Sequence, residues 1–157
     1  YDNDVFRVHQ LRNIGAIEDN RPVSPNEWEE VKRGKEAKIR KWIDDNMAYR
    51  SCVVVLVGEE TAQRYWVQYE IIKAWDDGKG LLGVYIHNLN CAKKKRETGD
   101  GRCNMGLNPF DYVQFMNGSK LSNVVRCYNP DNTDAYNDIR NNLEDWIEEA
   151  IESRKIK

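Results

Sequence analysis

The pair best placed to do chemistry in this sequence is Trp66 and Glu70, which become surface neighbours if their segment is helical, because they stand four residues apart. A lone carboxylate beside an aromatic wall can stabilise positive charge developing on a bound group while the ring shelters it from water. A plainer reading stands next to it. Glu70 lies three residues before Lys73, and a helical Glu so placed is usually half of a weak surface ion pair. Trp66 is equally a packing or interface residue. The four cysteines, Cys52, Cys91, Cys103 and Cys127, contain no C-x-x-C pair, so neither a zinc cage nor a redox pair is expected. Cys91 and Cys103 bracket a loop and could pair, and His87 precedes Cys91 by four residues, yet free thiols and no metal are the expectation.

Two elements must hold that pair. Cys52 to Val57 (CVVVLV) is an unbroken apolar, β-branched run followed by Gly58, the pattern of a parallel strand covered on both faces. The period then changes, and Ala62, Tyr65, Trp66, Tyr69 and Ile72 fall along one side of a helix. Asp77, Gly78 and Gly80 end it, and Leu81 to Ile86 gives a second apolar strand, so the local order is βαβ. Upstream, Ala37, Ile39, Trp42, Ile43 and Met47 predict a helix with a charged outer face. Val5, Phe6, Val8, Leu11 and Ile14 suit a shorter one, and Gly15 to Ile17 a brief edge strand. Residues 88–111 form a long polar loop whose basic run, Lys93 to Arg96, reads as a solvated tip. Asn123 to Tyr128 predicts a last strand. A last helix follows, capped by Thr133 or Asp134, with Tyr136, Ile139, Leu143, Trp146, Ile147 and Ala150 in one stripe.

The expected architecture is a single three-layer α/β domain over residues 1–157, flavodoxin-like, with a central and mostly parallel sheet. Because such a domain ordinarily opens with a buried strand, and Tyr1 reads as the loop after one, a first strand is expected to be missing from this chain. A length of 157 residues suits one core. A net charge of −2 provides no field for gathering nucleic acid or anionic lipid, and the apolar runs are strand-sized, so neither nucleic acid nor a membrane is an expected partner. The N-terminal YDNDVFRVHQ lacks an apolar signal region, which points to a soluble cytoplasmic protein.

VVVLVGEETAQRYWVQYEIIKAW, then an apolar strand, then NPFDYV, resembles the TIR-like domains of the Thoeris anti-phage defence system, the ThsB family. The likeness covers most of the chain. In TIR domains the helix after the third strand carries a W-C-x-x-E type signature whose glutamate cleaves NAD, and the corresponding window here is Trp66, Val67, Gln68, Tyr69, Glu70. Val67 departs from the usual cysteine, in keeping with the W-V-x-Y-E of the TIR-like branch. At the front, only Tyr1 and Asp2 remain of an F-F-S-F-H-Y-like strand and loop.

The resemblance implies an enzyme that consumes NAD, with no cofactor besides that substrate, and releases a cyclic ADP-ribose signal for a separate effector during phage infection. Glu70 is the implied catalytic residue. Trp66, Asp2, Asn3, Arg64, Phe110 and Asp111 are the implied substrate contacts, and no metal is called for. It also implies a homo-oligomer when active and a phage-derived trigger protein. Such cleavage fits one carboxylate, since nicotinamide leaves as a neutral molecule from a cationic ring, needs no general acid, and leaves an oxocarbenium-like ribose to be stabilised. The pocket of an open α/β sheet should lie outside the carboxyl ends of its strands, where Gly58, Glu59 and NPFDYV would gather. Asp111 after Pro-Phe equally stabilises a turn, and Arg64 equally meets a neighbouring acid. The alternative is a non-catalytic TIR-like adaptor using Tyr65, Trp66 and Tyr69 as anchors. A phospho-acceptor receiver domain is disfavoured, because the first strand ends in Gly58 rather than aspartate.

Overall fold

The computed structural model describes residues 34–91 and 101–155 together with Arg7, Gln10, Lys95 and Gly99. The predicted N-terminal helix, the edge strand at 15–17 and the site candidates Asp2 and Asn3 lie outside the described residues. Along the chain come helix α1 (Glu36–Met47), strand β1 (Cys52–Val57), a 3-10 turn (Thr61–Gln63), helix α2 (Tyr65–Asp76) and strand β2 (Gly80–Tyr85). Two more 3-10 turns (Pro109–Tyr112 and Leu121–Asn123), strand β3 (Cys127–Tyr128) and helix α3 (Ala135–Lys155) complete it. The sheet is parallel in the order β1-β2-β3, with Val55 opposite Gly83 and Gly83 opposite Cys127. This is a three-layer α/β domain.

Alternation along the strands builds two cores. Val53, Val55 and Val57 of β1 and Leu81 and Tyr85 of β2 face α1, α2 and the Pro109 turn. Cys52, Val54 and Leu56, with Leu82 and Val84, face α3. Period-2 side chains with no polar face mean that both sides need a cover. α1 supplies Ile39, Ile43 and Met47, and α3 supplies Ala135, Ile139, Leu143 and Ala150. Asp134 caps α3, its Oδ1 accepting from the Asn137 N–H at 3.4 Å.

The helix after β1 departs from its predicted face. Ala62 sits in the 3-10 turn, and α2 buries Ile71 and Ala74 with Val67 beside them, while Tyr65 is 55% and Ile72 45% exposed. The aromatic arc sets the sequence reading two positions out, nearly on the opposite side of the helix, since Tyr65, Tyr69 and Ile72 are picked where Val67, Ile71 and Ala74 face the core. Aromatic rings with polar tips are satisfied at the rim instead. The last strand is also shorter than expected. Residues 121–123 wind into a turn in which the Leu121 carbonyl accepts from Val124 and Val125, leaving only Cys127 and Tyr128 to pair.

Gly83 makes room for this packing. A Cβ there would lie 3.0 Å from the Phe110 ring and 2.5 Å from the Cys127 sulfur. The segment after β2 is pinned by the fully buried Arg7, which donates to Leu89 O at 3.0 Å, Gly101 O at 3.3 Å and Cys103 Sγ at 3.0 Å. All four cysteines are free thiols. At the amino-terminal end of the sheet, Arg154 reaches from α3 to α2, its guanidinium 3.6 Å from the Trp75 ring centroid and donating to Trp75 O at 2.7 Å. No described helix is long and apolar enough to cross a membrane.

Candidate active site

Glu70 sits in the middle of α2, half-buried at the edge of its core-facing side. Lys73, the cation to which its spacing pointed, turns elsewhere, to Asp77 at 3.1 Å and Asp44 at 3.8 Å. Glu70 is left without a hydrogen bond or ion pair among the described residues. Desolvation, with no compensating donor, pushes its carboxyl up to about 7. A carboxylate stripped of water and left unpaired costs free energy, and such groups concentrate at functional sites.

Trp66 stands one turn before it and is held from both sides. Its ring meets Tyr65 edge-on at 4.9 Å and Tyr69 edge-on at 5.9 Å, and its body packs on the α1–α2 core. The tyrosines are fixed in turn by α1. Tyr69 donates to Asp44 Oδ1 at 2.9 Å, Tyr65 donates to Glu36 Oε1 at 3.1 Å, and Arg40 lies 4.9 Å from the Tyr69 ring centroid. The indole is therefore a fixed wall one turn from a carboxylate that has no partner among the described residues.

The loops expected at the carboxyl ends of the strands do meet there. Gly106 lies against Gly58 so closely that a Cβ would overlap the Gly58 carbonyl, and Asn104 Nδ2 donates to Glu59 Oε1 at 2.9 Å. Gln68 joins the two halves, its amide donating to Ala62 O at 2.9 Å and Pro109 O at 3.0 Å. Sequence reasoning passed over Gln68. Its signal was available, since a polar residue flanking the buried Ile71 stripe needs a partner.

The remaining candidates separate from Glu70. Each residue turns a helix by about 100°, so Gln68 and Glu70 leave α2 about 200° apart, on opposite flanks. The Pro109 turn lies on the Gln68 side. Phe110 is completely buried beneath that turn, and Asp111 accepts from Ser122 Oγ at 2.6 Å with Lys120 3.8 Å away. Arg64, the residue before α2, pairs with Glu60 at 2.9 Å. Trp66 and Glu70 thus stand one turn apart on the same side of α2, and Phe110 and Asp111 lie on its other flank.

The family model described as Thoeris protein ThsB, TIR-like domain, matches residues 1–91, a span that holds the whole Trp66-to-Glu70 window. The chain belongs to the ThsB TIR-like family. Among curated proteins it is 30% identical over 118 residues to the Bacillus cereus (strain MSX-D12) protein named "Putative cyclic ADP-D-ribose synthase ThsB1", a match over 73% of this chain and 58% of that relative. The chain thus spans little more than half the length of that relative. The parallel sheet covered on both faces and the strand–turn–helix that carries Glu70 are the frame expected of a TIR-like α/β domain.

Proposed function

We propose that this ThsB-family domain cleaves NAD at the nicotinamide–ribose bond and closes the remaining ADP-ribose on itself. The observation that carries the reading is the Glu70 carboxyl, half-buried, unpaired among the described residues and pushed up to about 7 beside the fixed Trp66 ring. The relative's name as a cyclic ADP-D-ribose synthase supports the same chemistry.

Each step is within reach of these groups. The C1′–N bond breaks with its electron pair passing to the pyridinium nitrogen, so nicotinamide departs neutral. Glu70, ionised, stabilises the oxocarbenium-like ribose left behind. A nucleophile of the same molecule then bonds to C1′ and loses its proton, which a carboxylate with a value near 7 can accept. Trp66 shields C1′ from water, favouring ring closure over hydrolysis. The proposal extends to a cytoplasmic setting, a homo-oligomeric active form and a trigger protein, with the cyclic nucleotide acting on a separate effector in anti-phage defence.

Incubation with NAD, following nicotinamide release and nucleotide products, tests it. The parent should yield nicotinamide and a cyclic nucleotide, and Glu70→Gln should lose at least a hundredfold in rate. Equal turnover by the two proteins refutes the assignment. The exposed Tyr65 and Ile72 favour one other reading, a partner-binding adaptor. A melting temperature that rises with NAD separates them, because only a ligand site is stabilised by mass action.

A further inference from the structure

The side of α2 that carries Trp66 and Glu70 also carries a cation. Lys73 follows Glu70 by three residues, a spacing that sets two helical side chains within reach of one another, and a lysine so placed commonly pairs with the glutamate. Here its ammonium is taken instead by two carboxylates from different elements. Asp77, the residue that caps the end of α2, holds it at 3.1 Å, and Asp44 of α1 stands 3.8 Å away. The Lys73 side chain is only 24% exposed, so it sits in a crowded seam between the two helices.

Asp44 has a second task. Its Oδ1 accepts from the Tyr69 hydroxyl at 2.9 Å, and Tyr69 is one of the two rings that brace Trp66. Arg40, the α1 cation over the Tyr69 ring, is committed to Glu36 at 2.7 Å. Among the described residues no charged group of α1, α2 or the sheet faces Glu70, and burial alone accounts for its raised carboxyl. Two carboxylates against one decide where the ammonium goes, and Glu70 is the one left over.

We infer that Asp44 and Asp77 are positioning residues for the Glu70 site: together they draw the Lys73 ammonium off the Glu70 carboxylate and so keep that carboxylate free to meet a developing cation. The inference rests on the proposed reaction only where turnover is the readout. NMR titration of the Glu70 carboxyl in protein with isotope-labelled glutamate, its signal assigned by its loss in Glu70→Gln, reads it without any turnover. With Asp44→Asn and Asp77→Asn together, the freed ammonium should swing to Glu70, and the titration midpoint should fall by about 1–3 pH units. Asp77→Asn alone, which leaves the bond between Tyr69 and Asp44 in place, should give part of that fall. Loss of two negative charges lowers the midpoint somewhat by itself, so Lys73→Met added to the double variant is the deciding control and should cancel most of the fall. Lys73→Met alone should leave the midpoint where it is. Cleavage of NAD at pH 8 should drop about tenfold in the double variant, because a paired carboxylate has less charge to lend to the ribose, and should recover with Lys73→Met. The inference is overturned if the midpoint stays put in the double variant, if the fall survives Lys73→Met, or if Lys73→Met alone moves it. A parent that turns over no NAD refutes the reaction, and the titration still decides the inference.

Discussion

Replacing Glu70 by glutamine should make the protein more stable, and only above mildly acidic pH. The carboxyl is moved from its ordinary 4.5 to about 7 by desolvation. Below pH 4.5 both folded and unfolded chains hold the proton, and the residue costs nothing through ionisation. Between 4.5 and 7 the folded state holds more protons than the unfolded one, so stability falls as pH rises, and above 7 the full cost is present. A displacement of that size corresponds to about 3 kcal/mol, and partial exposure of the side chain brings the expectation to roughly 1–3 kcal/mol. Glutamine keeps the shape without the charge. Thermal unfolding of the two proteins from pH 4 to 8.5 should therefore show melting temperatures that nearly coincide at pH 4. Above pH 7.5 they should separate, with the variant higher by roughly 2–4 °C per kcal/mol. A gap independent of pH, or a variant that melts lower at pH 8, would refute the claim that Glu70 is held in a desolvated and unpaired state. An active-site group kept at a cost to stability is the usual pattern where function needs it.

The rate of NAD cleavage under the proposed mechanism should rise about tenfold per pH unit below 7 and level off above it, since the ionised form of Glu70 does the work; a stopped assay across pH 5 to 9 reads this directly. Gln68→Leu leaves the Ala62 and Pro109 carbonyls without their donor and should cost about 1–3 kcal/mol in urea unfolding, with a smaller loss for Gln68→Asn only if the shorter amide still reaches one of them. Gly83→Ala drives a methyl toward the Phe110 ring and the Cys127 sulfur, and should destabilise by about 1–3 kcal/mol, which Phe110→Leu in the same chain should partly restore.

Much of the frame was legible because the strands are apolar on both faces. CVVVLV and LLGVY admit no half-solvated sheet, and the Ile39–Ile43–Met47 stripe and the α3 stripe are spaced well enough to be placed by counting. The setting of α2 was harder. Exposed Ile72 is as hydrophobic as buried Ile71, and the hydrogen bonds that hold Tyr65 and Tyr69 at the rim run to Glu36 and Asp44. Those partners lie 29 and 25 residues upstream, outside any local pattern. The pairing of Trp66 with Glu70 could be read from i, i+4 spacing. The choice by Lys73 of Asp77 and Asp44 over Glu70 could not, because three carboxylates were within its reach and tertiary placement of α1 decided among them. Phe110 and Asp111 were drawn to the site by their motif, while the side of α2 against which that motif folds depends on Gln68.

Arg154 lashes α3 to α2 across one rim of the sheet, the rim where Gly80 is pressed against the backbone of Ile151. At the opposite rim, short contacts such as Asn104 to Glu59 hold loops to one another without crossing between layers. The domain is built like a book bound along one margin, and its pages part most easily at the other. Amide exchange should accordingly be slowest near Gly80 and Trp75 and quicken toward Gly58 and Gly106, giving the edge at which the proposed reaction would take in its nucleotide the freedom to open while the spine stays shut.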